Sequence, residues 1–247
     1  MINVMSSPGS GKTTTLLRTI ERLQDTTRIG VMECDIDASV DAVTIENGGA
    51  KAIQLHTGGM CHMDAAMTQQ GLNEMGMDDV DLIFIENVGN LVCPAEFDTG
   101  ASINITILSV PEGDDKPAKY PLVYTVSDVV LINKTDTLPV FDFNKELVEQ
   151  RIHELNPNAQ IFYISSKKDE GFEPWINYLK EKWRKKTMAK VRVIEVHENV
   201  FNTNNQEADA LRKRLKDKKV TMINVMSSPG SGKTTLLSHA INEIKGE

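Results

Sequence analysis

The chain has 247 residues, a formal net charge of −8 at pH 7 and three cysteines. Its size fits one large α/β domain, its negative charge argues against a nucleic-acid surface, and no apolar run approaches the roughly 18–20 residues that span a membrane. The first residues lack the basic flank of a signal peptide and the cysteines are too few for a disulfide framework, so we expect a cytoplasmic protein without nucleic-acid or membrane partners.

Apolar runs alternate with helical patterns along residues 1–186. The predicted strands are 2–5, 28–33, 51–55, 81–86, 103–110, 128–133 and 160–165. The predicted helices are 14–23, 64–74, 144–155 and 173–183. Strands that are apolar on both faces and separated by helices predict an α/β fold with a doubly wound, mostly parallel sheet. Ligands of such sheets bind at the carboxyl ends of the strands.

The first predicted strand runs directly into a phosphate-binding loop. Residues 6–13, SSPGSGKT, have the Walker A spacing except that Ser6 replaces the first glycine. Gly9 and Gly11 let consecutive N–H groups point at a phosphate, and the following helix adds its positive dipole end. Lys12 supplies charge for the outer phosphates and Thr13 a hydroxyl ligand for Mg²⁺. The expected phosphate-binding residues are Pro8, Gly9, Ser10, Gly11, Lys12, Thr13 and Thr14.

Acidic residues after two later strands are candidates for the magnesium shell and for catalysis. Asp35 and Asp41 follow strand 28–33 and can bind the metal or place the attacking water, and the sequence does not rank one above the other. Asp37 is a less favoured alternative, and capping of the next helix is the structural alternative for one or two of these acids. Glu86 can hold Mg²⁺ through water, and the Gly89 N–H can meet the γ-phosphate.

Two cysteines and a histidine form a candidate metal site. Cys61 and His62 lie between a strand and a helix, and Cys93 follows Gly89 by four residues. Two thiolates and an imidazole suit Zn²⁺ or Ni²⁺, and a two-fold dimer can complete such a three-ligand shell. The spacing alone supports this hypothesis no more strongly than the alternative, in which the two cysteines are buried core residues and the histidine caps a helix. Cys34 is interpreted as a small core residue.

The sequence Asn133-Lys134-Thr135-Asp136 follows strand 128–133 and is typical of guanine recognition. The Asp136 carboxylate can accept two hydrogen bonds from guanine that adenine cannot donate, so we expect ATP to be rejected. The Asn133 side chain can hydrogen-bond to the other edge of the base, and the aliphatic stem of Lys134 can pack on the guanine ring. A weaker signal comes from three residues after the last strand, which can close over the base: Ser165, Ser166 and Lys167.

The phosphate-binding loop occurs twice. Residues 222–235 repeat residues 1–14 without a difference, and twelve residues follow the repeat. Apolar residues keep the same helical register after both copies. Because Leu236 stands where the first copy has Thr15, we expect the first copy to bury slightly less apolar surface. The alternative phosphate-binding residues of the second copy are Gly230, Gly232, Lys233 and Thr234.

Five segments are recognisable together: SSPGSGKTT, TGGMCHMDA, FIENVGNLVCPAEFD, EGDDKPAKYP and LINKTD. On these segments residues 1–186 resemble the HypB family of hydrogenase-maturation GTPases, in the SIMIBI class of P-loop proteins. The resemblance implies slow GTP hydrolysis, GTP-dependent homodimerisation and nickel insertion into [NiFe]-hydrogenase. It implies Cys61, His62 and Cys93 as interface metal ligands, with a HypA-like nickel metallochaperone and the hydrogenase large-subunit precursor as partners.

Two alternative functions stay open beside the one that the resemblance implies. One is a nickel- or cobalt-delivery GTPase for another metalloenzyme such as urease. Related urease GTPases carry Cys-Pro-His, so the adjacent Cys61 and His62 favour a hydrogenase client. The other alternative is a non-catalytic metal-binding module that the nucleotide only stabilises.

The order of segments departs from the family. Residues 188–247 look like a family N-terminus placed last, whereas residues 1–186 lack that N-terminal segment. We expect a GTPase domain at 1–186, a linker with a strand and a helix at 187–221, and a partial strand–P-loop–helix copy at 222–247. The tail can pack on its own chain, displace the first copy or swap into a neighbouring chain, and a gene-joining error gives the same order. The first copy is favoured because only short loops must close to join it to the other motifs. The second copy is favoured because it carries Leu236 and is preceded by the helix that normally comes before this segment in the family.

Overall fold

The structure is a computed structural model that describes residues 1–35, 40–186 and 213, with the backbone alone at 35, 40–43 and 183–186. Every described residue except 213 lies in the first of the two units into which the chain divides, Met1–Ile194. The predicted linker at 187–221, position 213 aside, and the second copy at 222–247 lie outside the described residues.

Seven strands form one sheet in the order β3-β2-β4-β1-β5-β6-β7, and every neighbouring pair is parallel. The strands are β1 (Ile2–Ser6), β2 (Ile29–Asp35), β3 (Lys51–His56), β4 (Leu82–Glu86), β5 (Ile103–Ser109), β6 (Val129–Asn133) and β7 (Gln160–Tyr163). The α-helices are α1 (Lys12–Leu23), α2 (Val40–Asn47), α3 (Ala65–Met75), α4 (Cys93–Glu96), α5 (Lys116–Lys119), α6 (Pro121–Thr125), α7 (Lys145–Leu155) and α8 (Phe172–Lys186). Short 3₁₀ helices cover Met77–Asp79, Val110–Glu112 and Thr135–Thr137.

The strands and helices predicted within residues 1–186 are all present, and the doubly wound fold is confirmed. Strand ends differ from the predictions by at most two residues, and α8 continues three residues past the predicted end. The prediction of a mostly parallel sheet was too cautious, because all the described strand pairs are parallel. The short helices α4, α5 and α6 were missed because four or five residues are too few to show a helical period.

The sheet separates two apolar layers because successive side chains of a strand point to opposite faces. Val4 and Leu131 lie in the layer covered by α1 and α8, where Trp175 is buried. Met5 and Ile132, each one residue further along, lie in the opposite layer with α6 and α7. The central strands β1, β4 and β6 are buried along their whole length, as apolar strands between two helical layers should be.

The first copy of the repeated segment occupies the centre of this sheet. Its strand β1 pairs with β4 on one side and with β5 on the other. Thr15 of this copy is 1% exposed, and its hydroxyl lies 2.8 Å from both the Gly11 carbonyl oxygen and Ser166 Oγ. The expectation that this copy buries less than the second stays a prediction, because Leu236 lies outside the described residues. Leu236 has no hydroxyl for either bond, and a lost buried hydrogen bond costs about 1–3 kcal/mol. These hydrogen bonds of Thr15 are an argument for the first copy, and which copy works stays a prediction.

Substituting the two P-loop lysines one at a time tests which copy works. We expect Lys12→Ala to abolish GTP turnover and Lys233→Ala to leave it at the wild-type rate, because β1 places Lys12 at the carboxyl end of the sheet. The measurement is phosphate release under saturating GTP for both variants. Activity that survives Lys12→Ala and is lost in Lys233→Ala would contradict this placement.

Candidate nucleotide and metal sites

The phosphate-binding loop has the backbone that its glycines predict. Gly9 and Gly11 have positive φ angles of 74° and 96°, a region that glycine adopts without strain. A Cβ atom at Gly11 would lie 2.6 Å from Asn133 Nδ2, so only glycine fits there. Gly11 is the N-cap of α1, and no side chain within the described residues caps that helix. The first N–H groups of α1 can therefore bind an anion.

A pocket of about 430 Å³ lies over this helix start. Lys12 Nζ donates to Ser6 Oγ at 3.1 Å, so the serine that replaces the first Walker A glycine holds the lysine beside the pocket. The Thr13 hydroxyl donates to Glu86 Oε1 at 2.8 Å. A hydroxyl and a carboxylate at this spacing are the oxygen ligands that Mg²⁺ prefers, so these two residues fit the predicted magnesium site. The pocket is lined by Pro8, Gly9, Gly11, Lys12, Thr13, Thr14, Glu33, Cys34, Glu86, Asn87, Val88 and Gly89.

Glu33 belongs to this pocket, and the sequence interpretation missed it. It is 3% exposed and lies opposite Glu86 in the register of β2 and β4. Two buried carboxylates beside one pocket favour a bound cation, because like charges at short range disfavour each other. An acidic residue inside an otherwise apolar strand was the available signal. Cys34 is buried as predicted, but it also lines the pocket.

The segment after Glu86 touches the phosphate-binding loop. A Cβ atom at Gly89 would lie 3.1–3.2 Å from Pro8 atoms, so the two backbones approach as closely as glycine allows. Asn90 forms an isolated antiparallel bridge with Ser6 at the end of β1. The predicted γ-phosphate contact of Gly89 is thus compatible with its position, although that contact stays a prediction.

Asn133 connects two loops on the base side. Its Nδ2 donates to the Ser10 carbonyl oxygen at 2.9 Å, and its Oδ1 accepts from the Ser166 backbone N–H and hydroxyl at 3.1 and 3.0 Å. The sequence assigned this amide to an edge of the base. In the structure the amide is bonded within the protein, so Asn133 holds the phosphate loop and the Ser165–Ser166 loop together, and its contact with the base stays a prediction.

The other predicted base-site residues surround this connection. Ser165 Oγ donates to Asp136 Oδ1 at 2.6 Å, which fixes the carboxylate predicted to read guanine. Lys134, at a positive φ of 59°, donates from Nζ to the Gly9 carbonyl oxygen at 2.6 Å. Its stem therefore spans from the base side to the phosphate loop. Lys167 is exposed on the same loop as Ser166. Guanine binding itself stays a prediction.

Other predicted residues lie outside what the structure describes. Asp35 ends β2 and Asp41 lies in α2, but only their backbones are described, and Asp37 lies in the undescribed stretch 36–39. Their catalytic and metal-binding roles stay predictions. The alternative residues of the second copy also lie outside the described residues: Gly230, Gly232, Lys233 and Thr234.

The structure brings the predicted metal ligands together. Cys61, His62 and Cys93 offer ligand atoms that all lie within 4.8 Å of one another, and the two Sγ atoms are 2.7 Å apart. The His62 ring is buried, stacks on the Phe97 ring at 3.6 Å, and has no hydrogen-bond partner for either nitrogen among the described residues. Because buried polar atoms are normally satisfied, this imidazole is suited to bind a metal.

The protonation of the cluster makes metal binding dependent on pH. Burial, together with the hydrogen bond to Cys93, raises the pKa of Cys61 to about 11. Burial lowers the pKa of His62, which keeps the imidazole neutral and able to donate a lone pair. A metal ion binding here must displace thiol protons, as zinc and nickel do. Three ligands leave a tetrahedral shell one short.

The fold and the site define a P-loop nucleotide-binding protein with a thiol–imidazole cluster, able to hold a metal ion, beside the nucleotide pocket. The family model for the CobW/HypB/UreG nucleotide-binding domain matches residues 1–163. Hydrogenase maturation factor HypB of Escherichia coli K12 is 44% identical over 179 residues, which is 72% of this chain and 62% of that protein. The hydrogenase/urease maturation factor HypB of Helicobacter pylori J99 is 42% identical over 188 residues, 74% of this chain and 77% of that protein.

Solved structures agree with these relatives. HypB from Helicobacter pylori in complex with nickel superposes with a TM-score of 0.69 at 40% identity, over 78% of this chain and 90% of that chain. HypB from Archaeoglobus fulgidus superposes with a TM-score of 0.68 at 37% identity, over 74% of this chain and 89% of that chain. The chain belongs to the CobW/HypB/UreG family and, within it, to the HypB proteins. It spans only 62% of the Escherichia coli relative. None of its described helices is both long and apolar enough to cross a membrane.

Removing a cluster cysteine tests the metal site against a matched control. We expect Cys93→Ala to weaken Ni²⁺ and Zn²⁺ binding by more than about tenfold, since even groups that only orient metal ligands are worth 10–100-fold. Cys34→Ala is the control, because Cys34 is also a free cysteine but lies outside the cluster. Isothermal titration with each metal measures the effect. Equal affinity in both variants would remove the cluster as the binding site.

Proposed function

We propose that this protein is a slow GTPase that binds nickel and assists nickel insertion into a [NiFe]-hydrogenase precursor. One observation carries the proposal: the short segment from Glu86 to Cys93 begins at the nucleotide pocket and ends at the metal cluster. The names of the relatives support the client, since they are hydrogenase maturation factors, and one solved relative holds nickel.

The pocket residues have separate roles in the proposed hydrolysis. The α1 N–H groups and Lys12 bind the β- and γ-phosphates. Thr13, Glu86 and Asp35 would hold Mg²⁺, which would neutralise part of the phosphate charge. Asp35 or Asp41 orients a water molecule whose oxygen attacks the γ-phosphorus. The bond to the bridging oxygen breaks, GDP leaves with the electron pair, and the attacking water gives up one proton to an oxygen of the phosphate product. Asp136 selects guanine over adenine.

Nickel is the cargo in this scheme, and Zn²⁺ is the alternative resting metal. Contact between the γ-phosphate and the Gly89 N–H orders the segment that carries Cys93, so GTP tightens the nickel site and hydrolysis loosens it. A ligand shifts such an equilibrium only through different affinities for the two states. A second chain of a GTP-dependent homodimer completes the shell that Cys61, His62 and Cys93 leave open.

The proposed partners follow from this role in the cytoplasm. A HypA-like metallochaperone exchanges nickel with the cluster, and the hydrogenase large-subunit precursor receives it. Urease is the second candidate client, because the Helicobacter relatives are named as hydrogenase/urease factors. The adjacent Cys61 and His62 favour hydrogenase.

Phosphate release under multiple turnover separates the GTPase from a non-catalytic metal-binding module. We expect slow release from GTP and at least about 100-fold less from ATP, because Asp136 would lose its donors on adenine. The control is Asp136→Ala, which should lower the ratio of phosphate release from GTP to phosphate release from ATP. Absence of turnover with GTP and Mg²⁺ would reject the enzymatic role and leave the binding module.

Nickel transfer identifies the client. The nickel-loaded protein is mixed with GTP and either a hydrogenase large-subunit precursor or urease apoprotein, and nickel in each acceptor is measured after separation. We expect GTP-dependent transfer to the hydrogenase precursor. Transfer to urease alone would identify urease as the client in place of hydrogenase, and the proposed GTPase activity would still stand.

A further inference from the structure

A fully buried asparagine joins the two sites. Asn87 directly follows the magnesium-site carboxylate Glu86 and is 0% exposed. Its Oδ1 accepts from the backbone N–H of Met63 at 3.1 Å and from that of Val88 at 2.9 Å. Met63 is the residue after His62. One amide oxygen thus holds the metal-binding loop against the segment that leaves the nucleotide pocket.

The opposite end of this amide is fixed to the sheet. Asn87 Nδ2 donates to Asn3 Oδ1 at 3.0 Å, and Asn3 in turn donates to Asn104 Oδ1 at 3.1 Å. The Asn87 backbone N–H donates to the Val4 carbonyl oxygen at 3.0 Å. These bonds set the side chain in a single orientation, because every polar atom of the buried amide has a partner.

A second contact between the same loops is weaker. Asn90 Nδ2 donates to the Cys61 carbonyl oxygen at 3.5 Å, the outer limit of a hydrogen bond. Asn90 also accepts from the Val92 N–H at 2.8 Å, next to Cys93. Of these two asparagine contacts between the nucleotide segment and the loop carrying Cys61 and His62, the shorter and fully buried contact of Asn87 is therefore the stronger.

We infer that Asn87 is a positioning residue that couples the nucleotide state to the metal site through its hydrogen bond to Met63. This inference rests on the proposed function, in which GTP repositions the segment from Glu86 to Cys93. The backbone of that segment carries Cys93 directly. Through the bond of Asn87 to Met63, the same displacement also reaches the loop that carries Cys61 and His62, so that all three ligands move together.

The test compares two buried asparagines of one network. Asn87→Ala removes the bond to Met63. Asn3→Ala removes a buried amide of the same network, whose described side-chain hydrogen bonds are to Asn87 and Asn104 and not to the metal-binding loop. For wild type and both variants, Ni²⁺ affinity is measured with saturating non-hydrolysable GTP analogue and with saturating GDP, alongside the thiolate-to-nickel charge-transfer absorption. The ratio of the two affinities reports coupling, whatever the affinity for nucleotide.

We expect a wild-type ratio within the usual range for allosteric coupling, about 5- to 150-fold. Asn87→Ala should bring the ratio within about twofold of one and abolish the nucleotide-dependent change in absorption, and Asn3→Ala should keep both. Asn87→Ser replaces Asn87→Ala if the alanine variant does not fold, as judged by circular dichroism.

Each other outcome is decisive. A wild-type ratio of one overturns the coupling in the proposed function and this inference with it. A wild-type ratio preserved in Asn87→Ala overturns the inference alone. Loss of the ratio in Asn3→Ala as complete as in Asn87→Ala also overturns it, because the network's stiffness, and not the bond to Met63, would then carry the effect.

Discussion

Buried asparagine amides hold the functional loops of this protein in place. An amide without water must bond all of its polar atoms, and leaving one unpaired costs about 1–3 kcal/mol. Asn133 meets this requirement by joining the phosphate loop to the loop at Ser166. Asn87 meets it by joining Met63 of the metal-binding loop to Asn3 of the central strand. The positions of the base-side and metal-side residues depend on these two side chains.

The parallel sheet explains why both asparagines have partners within reach. All strands of a parallel sheet end at the same edge, so loops that are far apart in the chain meet there. Asn3 and Asn87 are 84 residues apart, and Ser10 and Asn133 are 123 apart. The nucleotide pocket and the thiol–imidazole cluster thus share one edge and one connecting segment. A change in either site can reach the other over a few residues.

The sequence predicted the groups that carry chemistry better than those that position them. Lys12 and Asp136 were recognisable because their residue types and spacing are tied to phosphate and guanine. The metal trio was favoured only by the family resemblance, because its spacing alone left two interpretations open. The roles of Asn87 and Thr15 were not predictable, because a hydrogen bond to a distant loop leaves no local pattern. Glu33 was passed over because one acid in an apolar strand does not reveal which face it occupies.

The central claim is that the nucleotide and metal sites form one coupled unit, and coupling between two binding sites is reciprocal. The most direct measurement is the affinity of the wild-type protein for a non-hydrolysable GTP analogue, with and without Ni²⁺. Nickel should tighten binding of the analogue about fivefold or more and leave GDP affinity unchanged. Equal affinity for the analogue with and without nickel would contradict the claim, and the two sites would then be neighbours without communication.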